Sequence, residues 1–279
     1  MVVASKIDTE GALLGNMIGQ LLRAHGIAVD LRLQLGPTQI VRQALLAGQI
    51  DLYPEYTGNG AIFFSRPDDP AWRDAAQGYA LVKQLDRAQN DIVWLAPAPA
   101  DNSWAIAIRR DLAQARHIAS LEDFARYVNS GGDVRLAASA EFIDSPGALP
   151  AFETAYGFKL ARGQLLDLIG GNTSATLRAA AENISGVNAA MAYATDGALA
   201  VLQLTLLADD KHAQTVYRPA PVIRGAVLAR HPEIETILDP VFRSLTLERL
   251  QRLNAKIAAD GEQADAVTAA YLRDNGFLK

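Results

Sequence analysis

Cysteine is absent from the sequence, and with it go thiol nucleophiles, disulfides and cysteine-based metal sites. That absence fits an oxidising compartment, where a stray thiol is a liability. Basic residues are outnumbered, with 26 Lys and Arg against 31 Asp and Glu and a net charge of -5. No basic surface is left to track a phosphate backbone, so nucleic acid is not expected as a partner. No apolar run reaches the ~18 residues of a transmembrane helix, and no signal peptide precedes Val2-Val3-Ala4. A chain that starts so abruptly in a strand reads as one whose export signal has been removed, which places it in the periplasm.

Metal and phosphate chemistry are equally thin. His25, His117, His212 and His231 are scattered without metal-ligand spacing, so no metal is expected. Gly170-Gly171-Asn172-Thr173 stands before a helical pattern, but no Walker-type lysine follows, and a turn with an N-cap is the better reading than a phosphate site. No cofactor is expected. Asp8, Glu10, Glu55 and Glu141 are the carboxylates an acid/base reaction would need, yet nothing in their spacing pairs them, and surface or backbone-capping roles are expected.

What the chain does contain is a regular alternation. Over 279 residues, 50% of them hydrophobic, it can bury a large core, as one big domain or two lobes. Val2 to Ser5 reads as a strand, and Asp8 or Thr9 can cap a helix with Leu13, Leu14, Met17, Ile18, Leu21 and Leu22 at helical spacing. A strand over Ile27 to Leu35, a helix over Thr38 to Ala47 and a strand over Gln49 to Tyr53 complete βαβαβ, which predicts a parallel sheet. Strands at Ile92 to Leu95 and Trp104 to Arg109 follow. The pattern then restarts, with a capping box at Ser120, a buried strand over Val134 to Ala138, a helix over Leu149 to Tyr156 stopped by Gly157, and a strand over Asn188 to Ala192. A further strand over Val222 to Leu228 precedes long helical patterns from Pro232 to Ala259 and from Asp265 to Asp274. A tail of this kind predicts that the chain crosses back to complete its first lobe. The expected division is 1–104 with 213–279 as one lobe and 105–212 as the other, with crossings near Ser103 to Ile108 and His212 to Tyr217.

The stretch Asp51-Leu52-Tyr53-Pro54-Glu55-Tyr56-Thr57-Gly58-Asn59-Gly60 reads as a strand end entering a turn, since Pro54 lacks a donor and Gly58 and Gly60 bracket Asn59. In open α/β sheets ligands bind at the carboxyl ends of strands. Tyr56, Trp104, Tyr193 and Tyr217 all fall at such ends or at the crossings. Aromatics are only 7% of the chain, which makes that clustering informative. A cleft walled by electron-rich rings suits a soft cation such as a quaternary ammonium, at ~0.5 to 2 kcal/mol per desolvated contact. Tyr53 and Tyr79 are expected to be structural.

The segments Ser5-Lys6-Ile7-Asp8-Thr9-Glu10, Tyr53 to Gly58, Asn102 to Ala107, Glu141-Phe142, Leu149-Pro150 and Ala192 to Gly197 resemble, in order and over almost the whole chain, substrate-binding proteins of osmoprotectant ABC transporters. The resemblance is nearest to the OsmF-like branch of glycine betaine, choline and carnitine binders. It implies an α/β periplasmic-binding-protein fold of type II, two lobes joined by two crossover segments around a ligand cleft. It also implies a small-molecule ligand, a membrane permease as partner, a monomer, and no enzymatic activity. Tyr56, Tyr193 and Tyr217 fall on cage tyrosines, and Trp104 stands where the family has a tyrosine. Lys6 matches a lysine that helps to hold a ligand carboxylate, and Asn102 stands where some members have an aspartate.

Three departures bear on the ligand. A glutamine that could touch ligand is replaced in Ile7-Asp8-Thr9-Glu10-Gly11, and Asn59 replaces a threonine. The arginine that clamps the carboxylate in betaine binders is Ser145 here, and serine cannot supply a planar two-pronged donor. The reading is therefore a binder of a quaternary ammonium osmoprotectant such as glycine betaine or choline. The alternatives are a binder of another cationic or amino-acid-like solute, and an α/β enzyme acting on a small polar substrate in the same cleft.

Overall fold

The computed structural model describes residues 1–168 and 173–278. In chain order the strands are β1 (Val2–Lys6), β2 (Asp30–Gly36), β3 (Leu52–Tyr56), β4 (Ile92–Trp94), β5 (Trp104–Arg109), β6 (Leu136–Ala138), β7 (Leu165–Asp167), β8 (Ala189–Tyr193), β9 (Leu204–Leu206) and β10 (Pro219–Arg224). They form two five-stranded sheets, ordered β2-β1-β3-β10-β4 and β7-β6-β8-β5-β9. The chain divides into two compact units, Met1–Asp101 with Val216–Lys279, and Asn102–Thr215. The second unit extends three residues further at each end than the expected 105–212, and the hydrogen bonds give the reason. Trp104 is already in register with Tyr193, Ala194 N–H donates to Ser103 O, and Ser103 Oγ donates to Thr215 O.

In the first sheet β1 runs parallel to β2 and β3, as successive β-α-β crossovers require. The sheet is mixed rather than parallel, because β10 lies antiparallel between β3 and β4. The second sheet repeats the arrangement, with β6 parallel to β7 and β8 and with β5 antiparallel to β8 and β9. In each unit the antiparallel strand is the one the chain forms on entering. Its first residues therefore stand beside the carboxyl ends of the parallel strands.

Pro54 does not end its strand. β3 continues to Tyr56, and the turn begins at Thr57 with a short 3-10 segment, Thr57–Asn59. Thr57 N–H donates to Arg218 O, and counting back by alternation puts Pro54 opposite Pro221 in a non-hydrogen-bonded pair. Neither proline forfeits a β3–β10 hydrogen bond there. Two other boundaries differ from expectation. The strand expected over Val222 to Leu228 is β10 up to Arg224 and then a helix, Gly225–Arg230, and the pattern from Pro232 to Ala259 breaks at Leu245 and Thr246 into Glu233–Ser244 and Leu247–Ala258. Thr246 accepts from Arg249 N–H, so it caps the second of these helices.

Asp8 caps the helix Thr9–Ala24 by accepting from Gly11 N–H at 2.6 Å, Ser120 forms the capping box with Asp123, and Gly157 ends Leu149–Tyr156 with φ +69°. The C-terminal helices pack on Thr9–Ala24, where Leu14, Ile18, Leu238, Phe242, Leu250 and Leu272 share one buried cluster. Each such side chain contributes roughly 1.5 to 3 kcal/mol of burial. Among the described residues no helix is long and apolar enough to cross a membrane. Gly170, Gly171 and Asn172, read above as a helix start, lie outside the described residues.

Candidate functional site

In the first unit three expected ligand residues stand at the carboxyl ends of β1 and β3: Lys6, Tyr56 and, in the turn after it, Asn59. β1 is irregular just there. Ala4 is opposite Arg32 but Lys6 is opposite Gly36, and the extra β2 residues include Gln34 at φ +53°. Gln34 N–H donates to Ser5 Oγ and Gln34 Nε2 donates to Ile7 O, so one residue holds the Ser5 side chain and the Ile7 backbone on either side of Lys6.

Glu55 organises this group, and it is neither a surface nor a capping residue. Its carboxylate is fully buried and accepts from Lys6 Nζ at 2.9 Å, Tyr56 N–H at 2.7 Å and Asn59 Nδ2 at 2.7 Å on one oxygen, and from the Tyr53 hydroxyl at 2.9 Å on the other. Burial, then the neighbouring Glu55 charge, pushes the Tyr53 phenol well above its ordinary pKa and keeps it a donor. Lys6 is thus an ion-pair partner. Its ammonium also lies 3.9 Å from the centroid of the Tyr56 ring and covers one face of it. The Tyr56 hydroxyl donates to Glu10 Oε1 at 2.6 Å, and Asn254 Nδ2 donates to Glu10 Oε2 at 2.7 Å. Glu10 is therefore buried as well, contrary to the surface role expected for it. Tyr217 stands just before β10 at this same sheet end, its N–H bonded to Asp101 Oδ1 at 2.7 Å and its neighbours Val216 and Arg218 tied to Thr57.

In the second unit the sheet register brings Trp104 and Tyr193 together as a cross-strand pair. Their rings meet edge to face with centroids 6.0 Å apart, and Trp104 is stacked on Phe142 at 5.1 Å. Phe142 is fully buried and Trp104 and Tyr193 are half-buried, so the corner has a rigid back and an accessible front. Asn102 precedes β5 and accepts from the Thr195 hydroxyl at 2.7 Å, which ties it to the turn after β8. Asp196 in that turn accepts from Tyr193 N–H at 2.8 Å and from the Thr173 hydroxyl at 3.1 Å. Burial raises its pKa to about 6 against the pull of those two donors. Ser145 closes the short helix Ala140–Asp144 that follows β6, with its N–H on Glu141 O and its carbonyl accepting from Ala148 N–H.

Sequence reasoning missed Glu55 and Glu10 as buried groups, and it missed Phe142 and Asp196 as supports. Tyr53 and Glu55 are two apart on one strand and so share a face. A carboxylate beside a core tyrosine was a signal that it would be buried and paired. Of the four expected rings Trp104, Tyr193 and Tyr217 are half-buried, whereas Tyr56 is buried and has one face covered by Lys6.

The chain belongs to the family of substrate-binding domains of ABC-type glycine betaine transport systems, whose family model matches residues 1–274. It is 54% identical over 277 residues to the glycine betaine-binding protein YehZ of Escherichia coli, covering 99% of this chain and 91% of that protein. It is 32% identical over 282 residues to a glycine-betaine-binding protein of Pseudomonas aeruginosa, covering 99% and 88%. A solved structure of apo YehZ from Escherichia coli superposes with a TM-score of 0.90 at 53% identity, covering 99% of both chains. The fold is that of type II periplasmic binding proteins, and the family consists of transport substrate-binding proteins rather than enzymes.

Proposed function

We propose that the chain binds a small quaternary ammonium solute of the glycine betaine and choline type in the periplasm and presents it, as a monomer, to the permease of an ABC importer. The observation that carries this reading is the Trp104–Tyr193 corner, half-buried at the front and braced by Phe142 behind. A trimethylammonium group gains ~0.5 to 2 kcal/mol from each such ring once water is excluded. Tyr56, Tyr217 and Asn59 are the proposed ligand groups of the first unit taken by itself, and Asn102 is a further one of the second. Both curated relatives named above carry glycine betaine in their names, which supports the same class of ligand.

Two observations favour a ligand without a carboxylate, choline over glycine betaine. By the resemblance given above Ser145 stands where betaine binders carry the carboxylate clamp, and Lys6 gives one of its three donors to Glu55. Calorimetric titration of glycine betaine, choline, carnitine, ectoine and proline tests the proposal. Heat is expected from the quaternary ammonium compounds. Binding of proline or ectoine with none of the quaternary ligands overturns it in favour of another cationic or amino-acid-like solute.

A further inference from the structure

We propose that Glu10 is a positioning residue for the cation site: from behind Tyr56 it fixes the ring and makes it a better acceptor for a quaternary ammonium, with Asn254 holding Glu10 in place. This deepens the functional reading above and rests on it. Tyr56 is pinned at both ends, its N–H on Glu55 Oε1 at 2.7 Å and its hydroxyl on Glu10 Oε1 at 2.6 Å. An O–H donor to a carboxylate is of the strong, charge-assisted kind, and it polarises the phenol so that electron density rises on the ring. The Lys6 ammonium covers one face of that ring, so a ligand cation meets the other, where the polarised hydroxyl strengthens the ring's own attraction. Glu10 lies in the first turn of the helix Thr9–Ala24, where the helix terminus favours a carboxylate. Its other oxygen accepts from Asn254 Nδ2, on Leu247–Ala258, so a residue of the C-terminal helices takes part in setting a ring at the end of β3.

A purely structural Glu10 would affect all ligands alike, whereas a group acting on the ring's attraction for charge discriminates between a cation and its neutral copy. Choline and 3,3-dimethylbutan-1-ol, in which carbon replaces the nitrogen, form such a pair. In Glu10→Gln the affinity for the cation is expected to fall about tenfold and that for its neutral copy less than about threefold. In a Tyr56→Phe background, which lacks the hydroxyl, the same change is expected to cost less than about twofold. Asn254→Ala leaves the carboxylate in place, should shift the ratio in the same direction by a smaller factor, and carries the test if Glu10→Gln does not fold. Equal losses for both members of a pair, or an undiminished effect of Glu10→Gln in the Tyr56→Phe background, overturn this proposal alone. Wild-type protein that binds no quaternary ammonium compound overturns the functional reading and this proposal with it.

Discussion

Removing the charge of Glu55 while keeping its shape isolates what the Lys6–Glu55 pair does. The Glu55 side chain is 0% exposed and that of Lys6 8%, so Glu55→Gln leaves a buried ammonium without its counter-charge. Breaking a buried pair from one side costs about 3 to 5 kcal/mol, a large share of the 5 to 15 kcal/mol that holds a typical domain. The hydrogen bonds themselves survive, since an amide oxygen can still accept from Lys6, Tyr56 N–H and Asn59, and the Tyr53 hydroxyl can rotate. Lys6→Met makes the converse break. The carboxylate then keeps three neutral donors, Tyr53, Tyr56 N–H and Asn59, so the expected cost is smaller, about 1.5 to 3 kcal/mol. The double variant buries no charge, and its loss is expected to fall short of the sum of the two single losses by about 2 kcal/mol. Urea unfolding followed by circular dichroism, with the slope of the transition checked for constancy, measures all three. Strict additivity, or single losses below about 1 kcal/mol, would refute the account of a buried pair whose two charges depend on one another.

Ligand binding should change tryptophan fluorescence through Trp104, which is half-buried, whereas Trp72 and Trp94 are fully buried; an equal ligand response in Trp104→Phe would place the effect elsewhere. Ser145→Arg should tighten glycine betaine more than choline, by about tenfold to a hundredfold for a bidentate donor, and equal gains or submicromolar betaine binding by the wild type would count against the missing clamp. The carboxyl of Asp196 titrates near 6, above its ordinary value, so the folded state binds its proton more tightly than the unfolded one. Its unfavourable contribution is present in full above about pH 6 and is relieved as the pH falls through that value towards the ordinary carboxyl range. Asp196→Asn should therefore raise the melting temperature relative to wild type more at pH 7 than at pH 5, and a pH-independent difference would show that folding does not raise the Asp196 pKa.

Much of the architecture was legible because its cues are local. Asp8, Ser120 and Gly157 sit at helix ends where capping chemistry demands their residue types, and the βαβαβ pattern of the first fifty-odd residues gave three strands that do run parallel. β10 was harder to read. Pro219 and Pro221 argue against a strand unless the partner's register is known, and that partner, β3, is far away in sequence. The site divides in the same way. Rings at strand ends could be picked out one by one, but the link from Tyr56 through Glu10 to Asn254 spans 244 residues between its last two members and leaves no periodic trace. Glu55 was misread because its counter-ion, Lys6, comes from a neighbouring strand end that no spacing rule connects to it.

The place of β10 has a consequence for the order in which the molecule can be completed. This strand lies between β3 and β4, and it is made only after the whole of Asn102–Thr215 has been made. A nascent chain of two hundred residues therefore holds every strand of the second sheet except β9, while its first sheet is two separate pieces with facing unpaired edges. Such edges attract other strands. The last strand to emerge is the one that closes that gap, so release of the chain before Pro219, by premature termination or proteolysis, leaves a first sheet with open edges on β3 and β4 that is primed for aggregation.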